Sequence, residues 1–169
     1  MIFPRKREKM PNPERLFREA ELREEAGDFR TAFRLLSAAA QLGHVGGQLN
    51  LGNFYAWGRG ARKNLEKAAY WYKKAYKNGY SDGALNLAID RRNQGDIRSA
   101  VIWFKKAIAM NNGDACIALA KINNTRKGGQ RAATRLLRRA LRMSRDDISD
   151  AAKEEAESLL KEMAKMQKH

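Results

Sequence analysis

The stretch Ala68-Ala69-Tyr70-Trp71-Tyr72-Lys73-Lys74-Ala75 sets two alanines seven residues apart around the bulky pair Trp71-Tyr72. The same frame occurs three more times. Ala32, Ala68, Ala100 and Ala133 follow one another at steps of 36, 32 and 33 residues, and seven residues beyond each stands Ala39, Ala75, Ala107 or Ala140. Between the alanines lie Leu35-Leu36, Trp71-Tyr72, Trp103-Phe104 and Leu136-Leu137. Positions 0, +3, +4 and +7 share one face of a helix. Small residues at the ends of that face let a neighbouring helix approach, and the large pair fills the space between. Four frames in register predict a repeating array of helices.

A second helical element precedes each frame. Leu16, Phe17 and Ala20 mark the first, and Leu51-Gly52, Leu87-Ala88 and Leu119-Ala120 mark the others. Ala26-Gly27-Asp28, Gly58-Arg59-Gly60, Gln94-Gly95-Asp96 and Lys127-Gly128-Gly129 supply the turns, with glycine ending one helix and aspartate able to cap the next. The predicted helix pairs run over about 13–26/28–42, 46–57/64–78, 82–93/96–110 and 113–123/129–143. The prolines stand at positions 4, 11 and 13, so none interrupts these spans. A last helix is expected over about 146–166, opening on Asp146-Asp147. Its Glu- and Lys-rich composition suits a cap over the final apolar face.

The segment from Gly47 to Gly60, continuing through Asn64 and Ala75 to Gly79, resembles one complete Sel1-like repeat. It carries in order the Leu51-Gly52-x-x-Tyr55 helix, the Gly58-Arg59-Gly60 loop and the Lys67-Ala68-x-x-Trp71-Tyr72-x-Lys74-Ala75 helix. The flanking units are shorter. Ala20, Gly27, Ala32, Leu36 and Ala39, and then Ala88, Gly95, Ala100, Phe104 and Ala107, are closer to plain tetratricopeptide repeats. The resemblance extends over about residues 13–143 and is weakest in the fourth unit. It implies an all-α fold, a right-handed α-α superhelix (solenoid) of about four helix pairs plus a C-terminal capping helix. The expected division is a flexible basic N-terminus at 1–11, a repeat array at 12–145, and a capping helix and tail at 146–169.

Little points to catalysis. His44 falls in an inter-repeat turn and His169 ends the chain, and neither has a sequence neighbour that makes a base pair or a metal site. The glycine loops lack the Gly-Lys-Ser/Thr that cradles nucleotide phosphates. Cys116 is the single cysteine, which excludes an intramolecular disulfide framework, and its apolar helical context predicts a buried thiol. No enzymatic activity, cofactor or metal is expected. The opening Met1-Ile2-Phe3-Pro4-Arg5-Lys6-Arg7 has no apolar run after it, and no stretch is long enough to cross a bilayer. A cytoplasmic protein is therefore expected.

The formal net charge of +15 raises affinity for acidic proteins, nucleic acid and anionic surfaces alike. Its distribution narrows the choice, because no acidic residue occurs between Asp114 and Asp146. Five and six residues beyond Ala68, Ala100 and Ala133 stand Lys73-Lys74, Lys105-Lys106 and Arg138-Arg139, and Arg131, Arg135, Arg138 and Arg142 form a helical stripe. These residues form either a solvated outer face or an anion-binding one. A solvated face is the expectation for the lysine pairs, whereas the two readings stand level for the arginine stripe, since arginine makes bidentate contacts with carboxylate or phosphate. The resemblance also implies that the first helix of each pair lines a concave face. There it places Asn50, Asn53 and Trp57, then Asn86, Arg92 and Asn93, then Lys121 and Asn124. Asparagine can grip the backbone of an extended peptide, and Trp57 can give it an apolar contact; for Asn50 and Asn86 the favoured reading is that they tie adjacent repeats together. The expected partner is a protein or peptide with an acidic surface. The competing reading is a nucleic-acid-associated accessory protein that binds phosphates through the arginine stripe. No zinc-finger spacing or RNA-binding aromatic motif accompanies that stripe.

Overall fold

The computed structural model describes residues 11–144 and 146–166. The expected flexible N-terminus lies outside this range except for residue 11, as do Arg145 and His169. The described residues form helices and connecting turns, with no strand among them. In order these are α1 (Pro13–Glu25), α2 (Phe29–Gln41), α3 (Val45–Trp57), α4 (Leu65–Lys77), α5 (Ser81–Asn93), α6 (Ile97–Ala109), α7 (Gly113–Asn124), α8 (Gln130–Leu141) and α9 (Asp150–Met166). The chain gathers into two compact units, one ending at Trp71 and the other beginning at Tyr72, within α4.

Burial follows the alanine frame. Ala32, Ala39, Ala68, Ala75, Ala100, Ala107, Ala133 and Ala140 are all 0% exposed. Within each bulky pair the second residue, Leu36, Tyr72, Phe104 or Leu137, is buried, whereas Leu35, Trp71, Trp103 and Leu136 are half-buried. The +4 position thus belongs to the core, and the +3 position borders it.

In the first unit α1 packs on α2 and α2 on α3, around Ala20, Leu36, Ala40, Leu51 and Phe54. Pro13 opens α1, where its missing N–H costs nothing, and the Asn12 side chain accepts from the Glu14 amide at 2.9 Å. His44 caps α3 through Nδ1, which accepts from the Gly47 amide at 2.9 Å, while its ring stacks on Phe17. That bond leaves the proton on Nε2, which donates to Glu14 Oε2 at 2.9 Å. Hydrogen bonds from Arg18, and then from His44, hold the Glu14 carboxyl below its ordinary range.

In the second unit α5 pairs with α6 and α7 with α8, and α9 packs on α8 and α7. One core runs through Ala88, Phe104, Cys116 and Leu137 to Ile148, Ala156 and Met163. Cys116 is fully buried, and burial pushes its thiol pKa up. Asn112 ties α5 to α7. Its Oδ1 accepts from the Ala115 amide at 2.9 Å, while Nδ2 donates to Ser81 Oγ at 3.0 Å and Asp82 Oδ1 at 2.7 Å. The last helix starts at Asp150, later than the Asp146-Asp147 pair suggested. Asp147 is held in a turn instead: its carbonyl accepts from the Gly113 amide at 2.6 Å, and its carboxylate accepts from Ser144 Oγ at 2.8 Å. Ser149 Oγ accepts from the Ala152 amide at 3.2 Å and takes the capping position.

Candidate functional site: polar helix faces and a basic cleft

In the first unit Asn50, Asn53 and Trp57 follow at i, i+3 and i+7 along α3 and so share a face. Asn50 and Asn53 are half-buried, and Trp57 is 59% exposed. The loop after α3 completes this end. Gly58 closes the helix in the left-handed conformation (φ 76°), its N–H donating to the Phe54 carbonyl at 2.9 Å. Gly60, also at positive φ, lies so near the Phe29 carbonyl that a Cβ there would overlap it. Between the glycines, Arg59 is thrown outward. Its guanidinium lies 4.7 Å from the Trp57 ring centre and 5.4 Å from that of Phe29. Glu24 fixes it through an ion pair of 2.9 Å. Sequence reading found Trp57 but not Glu24 or Arg59. The one signal available for Arg59 was its place between the two turn glycines.

In the second unit Asn86, Arg92 and Asn93 lie on α5, and Lys121 and Asn124 on α7. Arg92 and Lys121 meet at one open cavity of about 510 Å³, whose other lining includes Asp114, Ser149 and Glu155. Lys121 forms an ion pair with Glu155 of α9, so this cavity is of mixed charge.

The basic residues divide by neighbourhood. Lys106 stands 3.9 Å from the Trp103 ring centre and 5.8 Å from that of Tyr76, a cation–π seat against partly buried rings. Lys105, Arg135 and Arg139 come together from α6 and α8 around another cavity of about 510 Å³, joined by Arg126 from the α7–α8 turn. Arg131, Arg138 and Arg142 are exposed on or just after α8 but do not line it, and on α4 Lys73 is exposed and Lys74 half-buried. Arg139 donates from Nη2 to the Ile108 carbonyl at 3.0 Å, steadying the guanidinium near the C-terminal end of α6. Of the arginine stripe, Arg135 lines this cavity, where it joins a cluster drawn from successive elements. Arg126 was not singled out as a site residue, because a turn residue has no place in a helical stripe.

Among the described residues no group of three or more His, Cys, Asp or Glu side chains is placed to hold a metal ion. No described helix is long and apolar enough to cross a membrane.

Paired helices of this length, repeated in register around buried alanines, define an α-α repeat protein. The Sel1 repeat family matches residues 24–44, 45–80 and 83–112, just over half of the chain, and the chain belongs to that family. The α7–α8 pair lies beyond these segments. No curated protein matches the chain in sequence. Among solved structures, a Sel1 repeat protein from Oxalobacter formigenes superposes with a TM-score of 0.67 at 21% identity, covering 76% of this chain and 57% of its own. A protective antigen of uropathogenic Escherichia coli with the SLR fold gives 0.67 at 16% identity, covering 76% of this chain and 30% of its own. An immunity protein from Pseudomonas aeruginosa gives 0.58 at 22% identity, covering 77% of this chain and 53% of its own. The chain thus spans between about a third and just over half the length of these structures. The α-α solenoid class expected from the sequence is the fold class they carry.

Proposed function

We propose that this chain is a non-enzymatic interaction module that holds a protein partner with an acidic surface. The observation that carries the reading is Trp57, exposed and stacked by an arginine that Glu24 fixes in place. Tryptophan and arginine dominate the energetics of protein interfaces, and an exposed pair already held in one geometry loses little freedom on binding. The polar residues of α3, α5 and α7 would give a partner's backbone its hydrogen bonds, and the cationic excess would favour an acidic surface. The role takes an adaptor, scaffold, chaperone-like or immunity-type form. The last stands among these because a protein of the same fold is an immunity protein.

The competing reading, phosphate binding on nucleic acid, draws on the exposed Arg131, Arg135, Arg138 and Arg142. Affinity purification at physiological salt with nuclease added separates the two. A protein partner retained by the wild type, and depleted at least about tenfold by Trp57→Ala, is the expected result. Retention lost on nuclease treatment, together with an oligonucleotide mobility shift that survives physiological salt, would establish the alternative instead.

A further inference from the structure

The cleft between α6, α7 and α8 combines an apolar floor with a cationic rim. Val101, Ile108, Leu119, Ala132 and Leu136 form the floor, and Lys105, Arg126, Arg135 and Arg139 stand around it. None of the lining residues is acidic, and among the described residues none of these cations forms an ion pair with a carboxylate. The volume, about 510 Å³, lies within the range of ligand pockets.

The corresponding part of the first unit is also an open cavity, of about 810 Å³, but its lining is different: aromatic, and carrying the carboxylate of Glu66. In the alanine register the counterparts of Val101, Asn123 and Ala132 are Phe33, Tyr55 and Lys67. There Phe33 and Tyr55 pack edge to face with ring centres 5.3 Å apart, and the Lys67 ammonium stands 5.3 Å from the Tyr55 ring. In the second unit smaller side chains replace the two rings and the lysine stem. What results is an aliphatic floor with cations around it and no carboxylate among them.

We infer that this cleft binds an acidic peptide segment of a protein partner, with an apolar side chain of that segment seated on the floor and flanking carboxylates on the four cations. This deepens the protein-binding reading and rests on it. The floor is aliphatic and offers no ring on which a base could stack, which disfavours nucleic acid. The aliphatic floor, with Asn123 as the one neutral polar side chain of the lining, rewards an apolar anchor, while the cationic rim rewards carboxylates on both sides of it.

The test uses the full chain and a fluorescein-labelled peptide, Glu-Glu-Asp-Leu-Trp-Asp-Glu-Glu, titrated by anisotropy at physiological salt. Two variants separate charge from shape. Lys105→Glu with Arg135→Glu reverses two exposed cations, and the peptide should bind at least about tenfold more weakly. Val101→Phe with Asn123→Tyr sets two rings on the aliphatic floor as a plug while keeping every charge, and it should weaken binding to a similar degree. Circular dichroism confirms that each variant is folded, and should the plug variant fail to fold, a Leu→Ser, Trp→Ser peptide tests the anchor against wild-type protein. Binding lost only on charge reversal would overturn the apolar seat. A wild-type dissociation constant weaker than about 1 mM would overturn the site, as would an oligonucleotide binding more tightly than the peptide and losing affinity in the same variants. A partner still retained by the wild type in the purification experiment, while the peptide fails, would sink the cleft and leave the interaction reading standing.

Discussion

Asp28 and Asp96 cap α2 and α6 with nearly the same backbone geometry, φ −81° and ψ 66° in one, φ −81° and ψ 73° in the other. Each carboxylate accepts from the amide of the residue three further on, Thr31 at 3.1 Å and Ser99 at 3.0 Å. The hydroxyl of that residue, and then its amide, hold each aspartate below its ordinary pKa. A carboxyl depressed in the folded state adds stability that is present above its unfolded pKa and is lost as pH falls through the folded value. Acid should therefore weaken both caps as pH drops below about 4. Asparagine caps a helix nearly as well but does not titrate. Asp28→Asn with Asp96→Asn should thus leave Tm at pH 7 little changed and reduce its fall between pH 7 and pH 3. Thermal denaturation at the two pH values checks this, and an equal fall in variant and wild type would remove the caps as a source of acid sensitivity.

At the scale of elements, Gly83 gives the clearest test of how closely two helices meet. It lies buried in α5 against the Tyr72–Lys77 part of α4. A Cβ there would overlap the Tyr72 carbonyl oxygen and stand 2.7 Å from the Tyr76 backbone nitrogen. In an exposed helix, glycine to alanine gains about 1 kcal/mol. Here the added methyl meets backbone, which cannot swing aside, so Gly83→Ala should instead destabilise by about 1–3 kcal/mol. Urea unfolding decides the sign. The same contrast between local and tertiary causes explains what could be read from the sequence. The helices were legible because each frame repeats a pattern that burial enforces: all eight frame alanines are fully covered. The start of α9 was misplaced because Asp147, a good capping residue by type, is drawn into a turn by the Gly113 amide. In the candidate site, residues on one helix could be grouped by periodicity, as with Asn50, Asn53 and Trp57. Groupings across elements could not: Glu14 reaches His44, Glu24 reaches Arg59, and Arg126 joins Lys105 and Arg139 only once the helices have packed.

For the molecule as a whole, the question is where the folded array ends. The stretch free of acidic residues between Asp114 and Asp146 is followed by a helix rich in both signs, and Lys121 finds its partner there in Glu155. Ile148, Ala156 and Met163 belong to the same buried cluster as Leu137 and Ala140 of α8. We propose that α9 closes the array in this way and is a working part of its stability. Ala156→Asp tests the point, because position 156 is 0% exposed and a carboxylate there has to be desolvated or the helix displaced. The variant should lose at least about 2 kcal/mol of stability, and amides of α9 should lose their protection from hydrogen exchange ahead of those of α5 and α6. With the apolar face of α8 uncovered, light scattering should also register association that rises with concentration, since a repeat array with an open end tends to stack. If exchange in α9 were already fast in the wild type, or if the variant stayed monomeric and as stable as its parent, the closing role would belong to α8 alone.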